Sequence, residues 1–244
     1  MGRECAEPPD RGTSASGDTS LDIALQRAAQ LQRLVPGAVL VGGSAAAFHA
    51  RHRISLAHDH VVDDLRDRFD AILDNLEALG EWSTARVAPG KVILDDLGGI
   101  ETGVRQMIRV RPLETETVVI HDSELTVPTL AEILRIKGWL CVKRNQTRDY
   151  LDVAALSDKI GVRVAGQTLA RIDDYYSEVN RRPEAVAVQL ARQLADPRPR
   201  DSVTTTRLSD YKSLSERWHE WAAVIAQTRE VAVMMLEGDL DAED

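Results

Sequence analysis

Residues 38–62, with the sequence AVLVGGSAAAFHARHRISLAHDHVV, decide the fold of this 244-residue chain. Ala38–Val41 predicts a short buried strand, after which Gly42-Gly43 turns the chain into a helix over Ala45–Ala50. A second strand is predicted over Ile54–Val62. Glycines let the backbone approach a ligand closely, and the free N–H groups of a helix N-terminus bind phosphate. The turn therefore indicates either a phosphate site or an ordinary strand-to-helix connection.

The second predicted strand places different side chains on its two faces. Ser55, Ala57 and Asp59 share one face, and His58 and His60 share the other. A buried acid without a partner is costly, so Asp59 indicates a metal, a basic partner or the edge of a site. The histidine pair is spaced for metal chelation, and the alternative is that both are half-buried polar residues on an outer face.

A lysine lies at the centre of an apolar helix face farther along the chain. Lys137 follows Leu130 by seven residues and Ile133 by four in the predicted helix. Lysine is rarely buried unless it is paired, so its stem carries the amine to the surface or the amine meets an anion in a cleft. Asp149, in the segment Arg148-Asp149-Tyr-Leu-Asp152, is a plausible partner across a helix pair. The alternative is a buried ion pair with a purely structural role.

The composition is that of an ordinary globular protein. Apolar residues make up 43% of the chain and charged residues 28%. Two cysteines are too few for a disulfide framework or a four-cysteine zinc site. No apolar run approaches the roughly 20 residues of a membrane span, and the polar start lacks the apolar stretch of a signal peptide. We therefore expect a cytoplasmic protein without a membrane segment.

The net charge of −9 is unevenly distributed. Residues 103–148 carry eight Lys and Arg against five Asp and Glu, and residues 181–200 carry five Arg against two acids. The acidic total therefore does not exclude a nucleotide or nucleic-acid substrate, although contact would be local. The alternative is scattered solvated charge.

The chain divides into four predicted regions. They are a disordered segment at 1–20, an α/β domain at 21–128, a helical domain at 129–236 and an acidic tail at 237–244. Helices are predicted at 21–35, 64–79, 128–143, 148–160, 167–179, 183–194 and 208–236. Further strands are predicted at 84–87, 91–94, 104–110 and 115–121.

The order of these motifs resembles the DNA polymerase β-type nucleotidyltransferase superfamily. More closely, it resembles the AbiEii/MenT group of toxin-like nucleotidyltransferases of bacterial toxin–antitoxin and phage-defence operons. The resemblance rests on Gly42-Gly43-Ser44, the segment Arg53–Asp59, Lys137 and Arg148–Asp152, and it spans roughly residues 37–160. It implies an α+β fold, with a mixed sheet flanked by helices and followed by a helical C-terminal region.

The resemblance also assigns roles to individual residues. It implies Mg²⁺ or Mn²⁺ as cofactor and a nucleoside triphosphate (NTP) as substrate. Asp59 and the residue at position 57 would hold the metal, and Asp59, Lys137 and Asp149 would be the catalytic groups. The implied nucleotide-binding residues are Gly43, Ser44, Arg53, Ser55 and Lys137.

Ala57 departs from the Asp-x-Asp pattern that the resemblance implies for this strand. Hard cations take several oxygen ligands, so loss of one carboxylate weakens metal binding severely. Either an inactivating Asp→Ala change was engineered, or the chain is a natural lapsed enzyme. The site residues that flank position 57 are retained, which favours the engineered change. Glu101 is the candidate for a third carboxylate.

The function implied by the resemblance is transfer of a nucleoside monophosphate from NTP to RNA. The expected acceptor is a tRNA 3′ end, the expected effect is blocked translation, and a cognate antitoxin is an expected partner. Basic residues available to grip the RNA backbone are Arg105, Arg109, Arg111, Arg144, Arg148 and those of 181–200. The alternatives are a protein or aminoglycoside acceptor, or a catalytically dead module that binds nucleotide, RNA or an antitoxin.

Overall fold

The computed structural model describes residues 15–55, 57–78, 82–97 and 100–240. The helices are α1 (Ala15–Leu34), α2 (Gly42–Ala50), α3 (Leu65–Glu77), α4 (Leu130–Arg144), α5 (Thr147–Ile160), α6 (Val162–Ala170), α7 (Asp173–Tyr176), α8 (Val186–Ala195) and α9 (Trp221–Leu240). The strands are β1 (Val39–Val41), β2 (His58–Val62), β3 (Trp82–Ala88), β4 (Val92–Leu97), β5 (Glu101–Gln106), β6 (Thr115–Ile120) and β7 (Ser123–Pro128).

Five strands form one mixed sheet in the order β1-β2-β5-β4-β3. Strands β2 and β5 are parallel, whereas the other neighbours in the sheet are antiparallel. Strands β6 and β7 form a separate antiparallel hairpin. Helices follow from residue 130 onwards. The α+β class, with a mixed sheet flanked by helices and a helical C-terminal region, is confirmed.

Two hydrophobic cores hold these elements together. The larger core joins α1 and α2 to α4–α9, and Trp139 of α4 stacks on Tyr176 with ring centroids 5.0 Å apart. The smaller core packs α3 on the five-stranded sheet through Phe69, Ile72 and Ile93. Because α2 and α5 belong to the larger core while β2 belongs to the sheet, the functional residues gather where the two meet. Within the described ranges, no helix has both the length and the apolarity to cross a bilayer.

Several element boundaries differ from the sequence-based expectations. Helix α1 begins at Ala15, so the predicted disorder is wrong for residues 15–20, and residues 1–14 lie outside the described ranges. Strand β2 is shorter than predicted because residues 54, 55 and 57 do not join the sheet; instead, the Ile54 N–H donates to the Lys212 carbonyl. Strand β7 was not predicted. Helix α9 continues to Leu240, and tail residues 241–244 lie outside the description.

The predicted helix over 208–236 is wrong in its first half. Residues 208–210 and 216–218 are single 3₁₀ turns, and Ser213 between them has φ +49°. Leu214 and Trp218 are four residues apart, a helical spacing that predicts a shared buried face, and both are buried. The spacing therefore identified core residues correctly, but it could not distinguish a helix from two turns that bury the same side chains.

Candidate functional site

The Asp59 carboxylate lies between two glycines. Val41 of β1 and Gly103 of β5 are the neighbours of Asp59 across the sheet. A Cβ atom on Gly42 would lie 3.0 Å from one carboxylate oxygen, and a Cβ atom on Gly103 would lie 3.1 Å from the other. Gly42 also has φ +73°, a conformation that favours glycine. Side chains at either neighbouring position would displace Asp59, so the glycines fix where its charge is presented.

The turn after β1 packs closely against the segment that leads into β2. A Cβ atom on Gly43 would lie 2.6 Å from the Ser55 hydroxyl and 2.8 Å from an Arg53 guanidinium nitrogen. The hydroxyl of Ser44 is 3.0 Å from the Ser55 carbonyl and 2.5 Å from the Ala57 carbonyl. Ser44 is fully buried, and its hydroxyl links the turn to the carbonyls of Ser55 and Ala57. Its contact to a ligand would therefore come from its backbone N–H.

The carboxylate of Asp152 is the centre of a buried ionic cluster. It accepts from Arg53 Nε at 3.0 Å and from His52 Nε2 at 2.8 Å, while Lys137 Nζ lies 2.7 Å away. The side chains of Asp152 and Lys137 are 0% and 1% exposed. Helix α4 positions the lysine, and it starts where the hydroxyl of Thr129 accepts the Glu132 N–H. The expectation that Lys137 meets an acid in a helix pair is therefore met by Asp152 of α5.

Asp149, one turn earlier on α5, has a different main partner. Its two oxygens accept from Arg144 at 2.6 and 2.7 Å, a bidentate pair, whereas Lys137 Nζ is 3.9 Å away. The predicted Lys137–Asp149 contact is thus the weaker of the two that Lys137 makes. Asp149 is fully buried behind Arg144, so it orients this arginine.

Burial and charge act in opposite directions on the titratable groups of this cluster. Burial alone would raise the pKa of Asp152, but the charges of Arg53 and Lys137 and the hydrogen bond from His52 hold it well below its ordinary value. Burial lowers the pKa of His52, against the effect of Asp152. His52 is therefore neutral at pH 7. The cations Arg53, Lys137 and Arg144 then face the two carboxylates of Asp149 and Asp152.

These groups surround a cleft of about 330 Å³. Six lining residues are cationic: Arg53, Arg105, Arg109, Lys137, Arg144 and Arg148. Asp59 is the single carboxylate among the described residues that line the cleft, and Arg105 Nε lies 3.3 Å from it. Behind the lining, the buried carboxylates of Asp152, Asp149 and Glu132 pair with four of these cations, so six cations meet four carboxylates in all. The remaining positive charge attracts an anion. Its residues come from the β1–α2 turn, β2, β5, α4 and α5, which the fold brings to one place.

Most of the predicted site residues meet at this cleft. Gly43, Arg53, Ser55, Ala57, Asp59 and Lys137 all line it. Ser55, Ala57 and Asp59 border the same cleft, although only Asp59 of the three lies in β2. Asp149 and Ser44 lie behind the lining rather than on it, and exposed Glu101 is not among the lining residues. Gly103, two residues after Glu101, occupies the position beside Asp59.

Three residues of the site were not singled out from the sequence. Asp152 ends the segment Arg148–Asp152, in which Asp149 is the predicted lysine partner; the i, i+3 spacing places both acids on one helix face and is a signal for both. His52 has no local signal. Tyr211 lines the cleft, with Arg53 Cζ 5.7 Å from its ring centroid. It lies in the part of the chain without a recognised motif, so only tertiary structure reveals its place.

The residues present do not fit the divalent metal that the resemblance implies. Among the described residues, no group of three or more His, Cys, Asp or Glu is arranged to hold a metal ion. Position 57, two residues before Asp59, holds alanine instead of a second acid, and Asp149 and Asp152 are already paired with Arg144 and Lys137. Mg²⁺ and Mn²⁺ need several oxygen ligands, and this chain offers one carboxylate at the cleft.

His58 and His60 lie on the opposite face of β2 from Asp59. Both are 0% exposed, so the expectation of half-buried residues on an outer face is wrong. Their ring centroids are 6.4 Å apart. Burial lowers the pKa of His58 to about 4 and that of His60 to about 3, so both are neutral within the fold at pH 7.

The buried histidines predict that the protein loses stability in mild acid. An unfolded histidine gains a proton near pH 6.5, whereas the folded His60 does not gain one until far lower pH. Protons therefore favour the unfolded chain, and the free energy of unfolding should fall by about 2 kcal/mol per histidine between pH 7 and pH 5. Urea titrations at the two pH values measure this fall.

A matched pair of variants isolates the contribution of one ring. His60→Leu should reduce the fall between pH 7 and pH 5 by about 2 kcal/mol, since it removes one titrating group. His121→Asn, in the exposed β6–β7 turn where φ is +51°, serves as the control. An identical pH dependence in His60→Leu and the parent would contradict the prediction.

Comparison with known proteins gives one set of sequence relatives. No family model matches the chain. It is 30% identical over 256 residues to heme uptake protein MmpL11 of Mycobacterium tuberculosis, and the match covers 94% of this chain and 24% of that protein. It is 38% identical over 127 residues to the mycolic acid-containing lipids exporter MmpL11 of Mycolicibacterium smegmatis, covering 52% of this chain and 13% of that protein. The chain thus spans about a quarter or less of the length of these relatives.

Solved structures provide the fold. MenT4, a nucleotidyltransferase toxin of Mycobacterium tuberculosis, is similar with a TM-score of 0.56 and 18% identity over 89% of this chain and 83% of that one. A protein of H. pylori assigned as a nucleotidyltransferase is similar with a TM-score of 0.52 and 13% identity over 93% of this chain and 98% of that one. The chain therefore has a nucleotidyltransferase fold.

Proposed function

We propose that the cleft binds a nucleoside triphosphate and that the protein is a toxin-type nucleotidyltransferase whose activity Ala57 suppresses. One observation carries the proposal: six cationic side chains and a glycine turn surround a single strand carboxylate in one cleft. A triphosphate brings several negative charges, which matches this excess of cations. The fold is shared with the nucleotidyltransferase toxin MenT4, and the proposal rests on the site itself because one fold hosts many functions.

The chain itself supplies the groups that would bind the phosphates. The first N–H groups of α2, at Gly42, Gly43 and Ser44, have no partner within the helix and can donate to phosphate oxygens. The Lys137 amine has three N–H donors and uses one or two on carboxylates, and the Arg53 guanidinium has five and uses two. Asp152 would hold both cations in place and so preorganise the phosphate site.

The proposed reaction is attack of an acceptor hydroxyl on the α-phosphate of the bound NTP. A bond forms between the hydroxyl oxygen and the α-phosphorus, the bond to the bridging oxygen breaks, and pyrophosphate leaves with the negative charge. The hydroxyl proton passes to a base, for which Asp59 is the carboxylate at the cleft. Positioning and charge stabilisation would supply most of the rate.

The proposed acceptor is RNA, with a tRNA 3′ end as the specific candidate and blocked translation as the consequence. The resemblance to the AbiEii/MenT group supports this choice, and a cognate antitoxin would then be the protein partner. A protein or an aminoglycoside is the alternative acceptor. Labelled NTP offered to the Ala57→Asp variant with total tRNA, protein and aminoglycosides identifies the acceptor.

A second candidate function is nucleotide binding without transfer. Ala57 favours it, because the chain as it stands presents one carboxylate at the cleft. The codon for position 57 in the native gene distinguishes the two functions. An aspartate codon supports the enzyme, and an alanine codon supports the binding module.

Nucleotide binding can be tested with the chain as it stands. We expect fluorescently labelled ATP to bind, and Lys137→Met to raise its Kd by about 10- to 100-fold, since a hydrogen bond to a charged group contributes about 1.5–3 kcal/mol. Lys159→Met, at the exposed end of α5, should leave the Kd unchanged. Fluorescence anisotropy measures both.

Folding and binding must be separated, because Lys137 also pairs with Asp152. Gly43→Ala removes no charge, but its added Cβ would displace Ser55 and Arg53, so it should weaken ATP binding while the circular dichroism spectrum is retained. Failure of the parent to bind any NTP, or equal binding by all these folded variants, would remove the proposed nucleotide site.

A further inference from the structure

A second cleft adjoins the first and has no role in the functions proposed above. It measures about 530 Å³. Its charged lining residues are four cations and one acid: Arg66, Lys91, Lys143, Arg181 and Glu178. All five are exposed. Because the cations exceed the acids by three, this surface attracts an anionic ligand.

The four cations have no carboxylate partner among the described residues. Within the described ranges, no carboxylate lies within 4 Å of the charged nitrogens of any of them. By contrast, Arg109, which lines the first cleft, lies 2.7 Å from Glu132, and Arg135 lies 2.8 Å from Glu114. An exposed cation without an acid partner is available to neutralise a phosphate, and the cations condensed on the nucleic acid are then released, which drives binding.

These cations come from separate parts of the chain. Arg66 lies in the first turn of α3, Lys91 in the β3–β4 turn, Lys143 in the last turn of α4, and Arg181 after the 3₁₀ turn at 177–179. The sheet region and the helical region each provide two of them. The positive patch is therefore formed only by the folded chain, and its four cations lie on both sides of the junction between the two regions.

The two clefts share part of their lining. Gln106, Met107, Ile108 and Trp139 line both. Ile108 is 61% exposed, so the shared wall presents an apolar surface beside the charges. A ligand with phosphates at intervals and apolar rings between them would satisfy both features, since a base can pack on apolar side chains while its phosphates meet lysine and arginine.

We propose that the second cleft binds the phosphate backbone of a single-stranded RNA acceptor whose reactive end enters the first cleft. This inference rests on the proposed function for the identity of the acceptor. The cations of the second cleft and the lining that the two clefts share indicate where the RNA would lie. Arg66, Lys91, Lys143 and Arg181 contact successive phosphates, and the wall at Met107 and Ile108 separates them from the triphosphate site.

The test uses the full chain and a fluorescein-labelled single-stranded RNA of about 12 nucleotides. Each lost phosphate contact lowers the slope of log K against log salt by about 0.7 and weakens binding about 5-fold at 0.1 M salt. The double variant Lys91→Gln/Lys143→Gln should therefore lose about 1.4 from the slope and about 25-fold in affinity. Fluorescence anisotropy over a salt series measures both quantities.

A matched double variant controls for the loss of charge. Lys159→Gln/Arg163→Gln removes two exposed cations at the α5–α6 junction and should leave RNA affinity within 2-fold of the parent. Equal losses in the two double variants would show non-specific attraction and overturn the inference. An RNA affinity that does not change in Lys91→Gln/Lys143→Gln would also overturn it.

The same variants separate this inference from the proposed function. Labelled ATP should bind Lys91→Gln/Lys143→Gln as tightly as the parent, because neither lysine lines the first cleft. Intact ATP binding with insensitive RNA binding defeats the acceptor path alone. Absent ATP binding with a specific loss of RNA binding defeats the proposed triphosphate site and leaves the second cleft as an RNA site.

Discussion

Replacing Ala57 by aspartate is expected to turn a chain that transfers no label into one that labels RNA. Ala57 and Asp59 line the same cleft two residues apart, so an aspartate at position 57 would place a second carboxylate beside the first. Two acids supply the oxygen ligands that a hard divalent cation requires, and the charge stabilisation is worth several kcal/mol in such sites. We expect a rate at least about 10²-fold above the parent. Incubation with labelled NTPs, Mg²⁺ and total tRNA measures it.

Two companion variants decide whether the added charge is responsible. Ala57→Asn introduces a side chain of nearly the same size as that of Ala57→Asp but without its charge, so this variant should remain inactive. Ala57→Asp should also melt at a lower temperature than the parent without metal, because two like charges then adjoin, and Mg²⁺ should raise its melting temperature. Labelling of no RNA, protein or small acceptor by Ala57→Asp with any NTP would remove the proposed enzymatic function.

Replacing Asp152 by asparagine is expected to lower the free energy of unfolding more than the other single substitutions do. Asp152 is 0% exposed and binds Arg53, Lys137 and His52, so its neutralisation leaves two buried cations without their main counter-charge. Breaking a buried ion pair by removing one partner costs about 3–5 kcal/mol, a large share of the about 5–15 kcal/mol that stabilises a typical domain. The midpoint of urea unfolding should fall accordingly.

A surface ion pair provides the control for this loss. Asp174→Asn breaks the pair with Arg171, whose side chains are 46% and 80% exposed, and should cost under about 1 kcal/mol. The double variant Asp152→Asn/Lys137→Met should recover part of the stability lost in Asp152→Asn, because it removes one of the unpaired cations. A cost for Asp152→Asn as small as that for Asp174→Asn would show that the cluster contributes little.

The sequence could predict the elements whose patterns are local. The glycine turn after β1, the alternation around Asp59 and the buried position of Lys137 each depend on residues close in sequence, and each agrees with the structure. The mixed α+β class followed from the order of strands and helices. Strand β7 was not predicted, because its segment between Asp122 and Pro128 carries polar residues on a short hairpin arm.

The remaining features depend on long-range contacts that periodicity does not encode. The choice of Asp152 over Asp149 as the main partner of Lys137 depends on how α4 and α5 pack. The burial of His58 and His60 depends on what covers the far face of β2, and the backbone of Ala28 in α1 reaches His60 there. The second cleft joins turns and helix ends more than 100 residues apart.

The pairing of residues 52–54 with 212–215 has a consequence for how ligand binding and folding are linked. The Ile54 N–H donates to the Lys212 carbonyl and the Ser215 N–H donates to the His52 carbonyl, and this brings Tyr211 over Arg53. Tyr211, from the C-terminal part of the chain, therefore completes one wall of the first cleft. A molecule that binds in this cleft stabilises the pairing of residues 52–54 with residues 212–215. Its affinity therefore reports whether both parts of the chain have folded.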